Sequence, residues 1–122
     1  TCKKCIDACP TKALSPYTLD ARKCISYLTI ENRHEIPDAF KNQWRDWIFG
    51  CDICQEVCPW NFRAQSCSEK DFRPLPEIAT FRKADWENLT GEDFELIFRQ
   101  SPLRRAGYAG LKRNIQFLKN DE

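Results

Sequence analysis

Cys2-Lys3-Lys4-Cys5-Ile6-Asp7-Ala8-Cys9-Pro10 and Cys51-Asp52-Ile53-Cys54-Gln55-Glu56-Val57-Cys58-Pro59 are two copies of one pattern, C-x2-C-x3-C-P. The pattern is the last part of the run C-x2-C-x2-C-x3-C-P. In that run the close thiolates grip one iron–sulfur cube, and the cysteine before proline reaches across to a second. Two copies therefore predict two [4Fe–4S] clusters lying near each other, a short path for electrons. Each copy lacks the cysteine expected three residues before its first. Position 48 is Ile48, and only Thr1 precedes Cys2.

The rest of the composition narrows the class. With 122 residues the chain is one domain, or a cluster domain with an appendage. A 42% hydrophobic content, with four Trp and eight Phe, suffices for a modest core. Charge is 30% but almost balanced at net +1, which argues against disorder and against a wholly basic nucleic-acid-binding domain. A local basic patch stays open. Eight cysteines mean disulfides or metal. No signal segment is visible, no apolar run approaches membrane-spanning length, and paired C-x2-C spacings favour metal in a reducing, cytoplasmic setting. The sequon Asn88-Leu89-Thr90 is then a chance match. The chain has no Met and enters its first motif midway, so it is expected to be a piece of a longer protein.

Along the chain, Ala13-Leu14 and Thr18-Leu19 around Ser15-Pro16 predict a tiny hairpin. Asp20 is a good N-cap for a helix over 21–31, which would carry Cys24 with Ile25 and Leu28. Asp38 can cap a second helix, because Phe40, Trp44, Trp47 and Ile48 recur at helical spacing and Gly50 suits its C′ position. Residues 63–77 are polar, contain Pro74 and Pro76, and read as a linker wrapping the surface. Thr90-Gly91-Glu92-Asp93 resembles a capping box and predicts a short helix burying Phe94, Ile97 and Phe98. Ser101-Pro102 restarts the chain as N-cap and N1. A last helix over 108–119 buries Tyr108, Leu111, Ile115 and Leu118. The expected fold is mainly α with a minimal β-hairpin. Residues 1–66 form the double-cluster domain, and 67–122 form a linker and helical tail packed on it.

Each cube needs four thiolates. Cys51 and Cys54 serve one cube, and by cross-ligation Cys9 joins them. Its fourth ligand is Cys24 or Cys67. Cys24 is the better placed, since a capped helix holds it rigidly and Cys67 sits in a loop. The other cube has Cys2, Cys5 and Cys58, with its fourth thiolate expected upstream of Thr1. Two competing readings are a structural zinc module with four thiolates, which binds tRNA or protein, and a two-cluster carrier serving another, reductive dehalogenase-like, oxidoreductase. The third cysteine and the Cys-Pro ending of each motif count against zinc.

Several stretches go further. Cys5-Ile6-Asp7-Ala8-Cys9-Pro10-Thr11 is common to ferredoxin-type domains. More specific are Leu19-Asp20-Ala21-Arg22-Lys23-Cys24-Ile25-Ser26-Tyr27-Leu28-Thr29-Ile30-Glu31 and Phe49-Gly50-Cys51-Asp52-Ile53-Cys54-Gln55-Glu56-Val57-Cys58-Pro59-Trp60-Asn61. With Phe72-Arg73-Pro74 and Ser101-Pro102-Leu103-Arg104-Arg105-Ala106-Gly107 they resemble the epoxyqueuosine reductase family, over most of residues 2–118. The resemblance implies a ferredoxin-like double [4Fe–4S] domain that feeds electrons to a cobalamin, which reduces epoxyqueuosine to queuosine in tRNA. It places a cluster ligand at Cys24 and none at Cys67. It puts the missing thiolate of a Cys-Gly-x-Cys start just before Thr1. It also assigns the cobalamin and the proposed proton donor to a preceding domain, so no catalytic residue is expected here and the chain alone should be inactive. Implied partners are that domain, epoxyqueuosine-bearing tRNA and an electron donor, for a monomeric protein without a membrane.

Other candidates follow from position. Arg99, Arg104, Arg105, Lys112, Arg113 and Lys119 lie in a stretch free of acids. With a tRNA substrate implied, Arg104, Arg105, Lys112 and Arg113 are candidate phosphate contacts. The alternative is a solvated helix face. Trp60, directly after the second Cys-Pro, is a candidate for the cobalamin border. Trp44 and Trp47 read as packing, and His34 as an exposed loop residue. No nucleophilic triad or glycine-rich phosphate loop is present.

Overall fold

The computed structural model describes residues 2–119. Its elements in order are α1 (Lys4–Ala8), the strands β1 (Leu14–Ser15) and β2 (Thr18–Leu19), α2 (Ile25–Ile30), α3 (Ile53–Glu56), α4 (Pro76–Thr80), α5 (Lys83–Asn88), α6 (Gly91–Ile97) and α7 (Gly107–Lys119). The two strands pair antiparallel, Leu14 opposite Leu19 and Ser15 opposite Thr18. The turn therefore falls at Pro16-Tyr17, with Tyr17 in the left-handed region at φ 61°. The mainly helical fold with one minimal hairpin matches the sequence expectation.

The chain builds two small cores. Ile25, Leu28, Ile36, Trp44 and Phe117 form the first, and Leu89, Phe94, Phe98, Leu111 and Ile115 the second. Helix α7 serves both, sending Phe117 to one and Leu111 and Ile115 to the other. Trp44 is fully buried, its ring 4.8 Å from that of Phe117, and Phe94 and Phe98 sit 5.4 Å apart. The capping box at the start of α6 forms as the sequence predicts. Thr90 Oγ1 accepts the Asp93 N–H at 3.1 Å, and the Asp93 carboxylate accepts the Thr90 N–H at 3.3 Å. Ser101 caps a 3-10 turn, Pro102–Arg105, through the Leu103 N–H.

Two expected helices do not form as drawn. The helix over 21–31 is broken at Cys24. Asp20 caps only a 3-10 turn, Ala21–Lys23, by accepting the Arg22 N–H at 3.1 Å. Cys24 is then extended (φ −73°, ψ 122°) and becomes the N-cap of α2. The helix expected from Asp38 to Ile48 shrinks to one 3-10 turn, Asp38–Phe40. Asn42 and Arg45 take left-handed φ of 62° and 52°, which no helix tolerates. The helical spacing of Phe40, Trp44, Trp47 and Ile48 misled, because these residues are shared between two cores: Trp44 belongs to the first, and Ile48 packs on the second. The Trp44 indole N–H closes this loop on Trp47 O at 2.7 Å. Gly50 does adopt a positive φ of 76°, but as the turn into Cys51 and not as a helix stop. The 63–77 segment holds the end of a 3-10 turn, Asn61–Arg63, a second such turn, Lys70–Phe72, and the start of α4.

Candidate iron–sulfur centre

Helix α1 carries Cys5, and its C-cap is Cys9 in extended backbone. Helix α3 carries Cys54, with Cys51 just before it and Cys58 just after its end. The two helices pack on each other, so the two copies of the cysteine pattern meet face to face. All eight cysteines are free thiols.

Cys51 is the centre of one group. Burial pushes its thiol up, and the Ile53 N–H opposes that rise. Cys24, Cys54 and Cys9 are each near enough to add to it by repulsion. Four half-buried thiols from three segments of the chain thus lie near one another. Among the described residues no three His, Cys, Asp or Glu side chains close on a single metal position. Four convergent thiols are the donor set of a [4Fe–4S] cluster, so the residues present fit that group.

Cys9 is held in a nest of donors. Its Sγ accepts the Ala13 N–H at 3.3 Å and lies 3.7 Å from Thr11 Oγ1. Burial raises the thiol, but hydrogen bonds from Ala13, Thr11 and Leu14 outweigh it and bring the pKa down. Lys12, at φ 52°, bends the chain around the sulfur. Such bonds favour the thiolate and tune the potential of whatever it ligates.

The second group is more open. Cys2 is exposed and Cys5 half-buried, and both line a surface cavity of about 670 Å³ against hairpin residues 14–19. Cys58 is half-buried just past the end of α3. Cys67 is exposed on the linker, where its Sγ accepts the Glu69 N–H at 3.4 Å.

Trp60 is 88% exposed beside Pro59, and Phe62 is 67% exposed with the Lys4 ammonium 5.7 Å from its ring centre. Arg104 and Arg105 are exposed. The first pairs with Glu95 at 2.8 Å, and the second grips both oxygens of Glu31. Lys112 and Arg113 turn inward. Lys112 Nζ donates to Glu87 O at 2.6 Å, and the Arg113 guanidinium to Leu28, Asn32 and His34 carbonyls. Sequence reasoning missed Thr29 and Asn114, both fully buried and both bonded near the thiols. The signal was there: each is a polar residue on an otherwise apolar helix face.

Fold and thiols together define a double-cluster iron–sulfur protein. Residues 1–61 match the family model of the 4Fe-4S double cluster binding domain, and the chain belongs to that family. Its similar relatives are epoxyqueuosine reductases. The Cellulophaga algicola enzyme is 52% identical over 120 residues, 98% of this chain and 39% of that protein. The Synechocystis sp. enzyme is 46% identical over 124 residues, 95% of this chain and 41% of that protein. An epoxyqueuosine reductase solved with an epoxyqueuosine-modified tRNA-Tyr stem loop superposes with a TM-score of 0.85 at 34% identity, covering 97% of this chain and 32% of that one. The Streptococcus thermophilus epoxyqueuosine reductase superposes at 0.79 with 29% identity, over 98% of this chain and 31% of that one. The chain thus spans roughly two-fifths of these curated relatives. No helix among the described residues is long and apolar enough to cross a membrane.

Proposed function

We propose that this chain is the electron-relay part of an epoxyqueuosine reductase. The observation that carries the reading is the convergence of Cys9, Cys24 and Cys54 on Cys51. It joins both sequence motifs and a third segment, as cross-ligated clusters require. Cys9, Cys24, Cys51 and Cys54 hold one cluster. Cys2, Cys5 and Cys58 hold the other, with a fourth thiolate from upstream chain. When bound, the clusters supply single electrons, and cobalamin supplies the reduced metal at which epoxyqueuosine becomes queuosine.

This chain's residues do the holding. The loop after Cys9 stabilises a thiolate at that atom. The α1–α3 packing keeps the two thiol sets adjacent. The division into a double-cluster domain (1–66) and a packed tail (67–122) belongs to this reading, as does a cytoplasmic setting. Trp60, with Phe62 beside it, is the aromatic edge we assign to the cobalamin side, because both stay exposed next to Cys58-Pro59.

Arg104 and Arg105 are the basic residues best able to meet tRNA phosphates. They are exposed, and their carboxylate pairs are of the weak surface kind. Lys112 and Arg113 already spend donors on the chain's own carbonyls.

The test is anaerobic reconstitution of the whole protein. It should turn brown with about eight irons per chain. With cobalamin and a reductant it should then convert epoxyqueuosine in tRNA. A colourless, zinc-loaded protein would sink the reading. Reversing charge at Arg104 and Arg105 together should weaken tRNA binding and lower its salt dependence by about one to two phosphate contacts. Unchanged binding at low salt would remove the tail from the tRNA surface.

A further inference from the structure

We propose that Asn114 and Thr29 are positioning residues for the Cys9, Cys24, Cys51 and Cys54 set. They act through the backbone that carries the thiols, and the proposal rests on reading that set as cluster ligands. Asn114 lies in α7 and is completely buried, at 0% exposure. A primary amide offers two N–H donors and an oxygen that accepts two bonds. Here Nδ2 donates to Thr29 O and to Ile48 O, each at 2.9 Å. Oδ1 accepts from Arg113 Nε at 3.2 Å and Nη2 at 2.8 Å. Both ends of the amide are saturated, so its orientation is fixed. Arg113 extends the link, donating to Leu28 O at 2.9 Å and Asn32 O at 2.6 Å. Thr29 is also at 0% exposure. Its hydroxyl donates to Ile25 O at 2.8 Å and accepts the Gly50 N–H at 3.0 Å.

These bonds tie three segments together. Ile25 directly follows Cys24. Ile48 and Gly50 lead directly into Cys51. Helix α7 spans both from behind. The clamp therefore sets where Cys24 stands relative to Cys51, two ligands far apart in sequence. Hydrophobic packing does not call for an amide at this position: the same helix places Leu111, Ile115 and Phe117 in the two cores. A buried polar side chain on such a face costs stability unless every group is paired. What it can supply is registry between elements, the best-attested use of buried polar residues.

The experiment uses the whole protein, reconstituted anaerobically, with four variants: Thr29→Val, Thr29→Ser, Asn114→Leu and Phe94→Leu. Iron release to excess chelator is followed with the electron paramagnetic resonance spectrum of the reduced protein. Thr29→Val and Asn114→Leu should release one cluster's share of iron about tenfold faster or more, as loss of supporting hydrogen bonds does elsewhere. The other share should keep its rate, and only one signal should change. Thr29→Ser keeps the hydroxyl and should behave as wild type. Phe94→Leu loosens the second core and should lower the unfolding midpoint without touching release. Wild-type release in Thr29→Val and Asn114→Leu would overturn the positioning role. So would equally fast release in Phe94→Leu, which would mark general loosening. A wild type that takes up no iron would overturn the ligand reading itself, and the proposal with it.

Discussion

Cys9, Cys24, Cys51 and Cys54 sit half-buried; Cys9 Sγ accepts the Ala13 N–H, and α7 holds the segment that leads into Cys51 through Asn114. Cys2, by contrast, is exposed, and with Cys5 it lines an open cavity against the hairpin, while Cys58 lies past the end of α3. The same nine-residue pattern heads both sets, so the difference does not come from the motifs. It comes from what the rest of the chain lays over them. One set is enclosed by segments within this chain: α2, the 41–50 loop and the last helix. The other keeps an open face with Tyr17, Leu19, Trp60 and Phe62 exposed. The enclosed set is shielded by its own chain, whereas Cys2 and Cys5 lie at an open surface cavity.

The strongest way to break this comparison is at the ligands. Cys24→Ser should remove one whole cluster, about half of the bound iron, and leave the other's spectrum intact. Cys67→Ser should change neither iron content nor spectrum. Cluster loss with Cys67→Ser alone would reverse the assignment of the enclosed set. A smaller effect is expected at Gly50→Ala. Gly50 sits at φ 76°, and an added Cβ would meet nothing within 4 Å, so the cost is conformational and not steric. A left-handed alanine should cost roughly 1–2 kcal/mol, read as a lowered unfolding midpoint, and should loosen the enclosed set first. A midpoint equal to wild type would show that the turn into Cys51 relaxes freely.

The smallest effect is electrostatic. Glu31 ends α2 and is gripped by Arg105 of the tail. That hydrogen bond comes first among the influences that hold its carboxyl below the ordinary value. Burial opposes it, and the charges of Arg105 and Arg33 assist. A carboxyl with a lowered folded pKa contributes stability above its unfolded value, near about 4.3, and that contribution is lost as pH falls through the folded value. Unfolding midpoints measured downward from neutral pH should therefore fall in the acid range, and Glu31→Gln should flatten that part of the profile. An unchanged profile would mean that the tail docks on α2 without this pair.

The sequence by itself determined the chemistry. Thiolate spacing reflects the fixed geometry of a cluster and short local loops, so two C-x2-C-x3-C-P runs name the cofactor without any fold. Local hydrogen bonding likewise made the capping box at Thr90 and Asp93 legible, along with the Ser101-Pro102 start, because those bonds close within three residues. The structure decided what depends on distant partners. It broke the helix at Cys24 and unwound the expected 38–48 helix, since Phe40, Trp44, Trp47 and Ile48 must face two cores and not one. It turned Lys112 and Arg113 inward, onto carbonyls that no spacing rule could locate. Thr29 and Asn114 showed in the sequence only as polar residues on apolar helix faces, and their partners could not be read there. Their bonds reach 21 residues to Gly50 and 66 to Ile48, and only the folded chain brings those groups together.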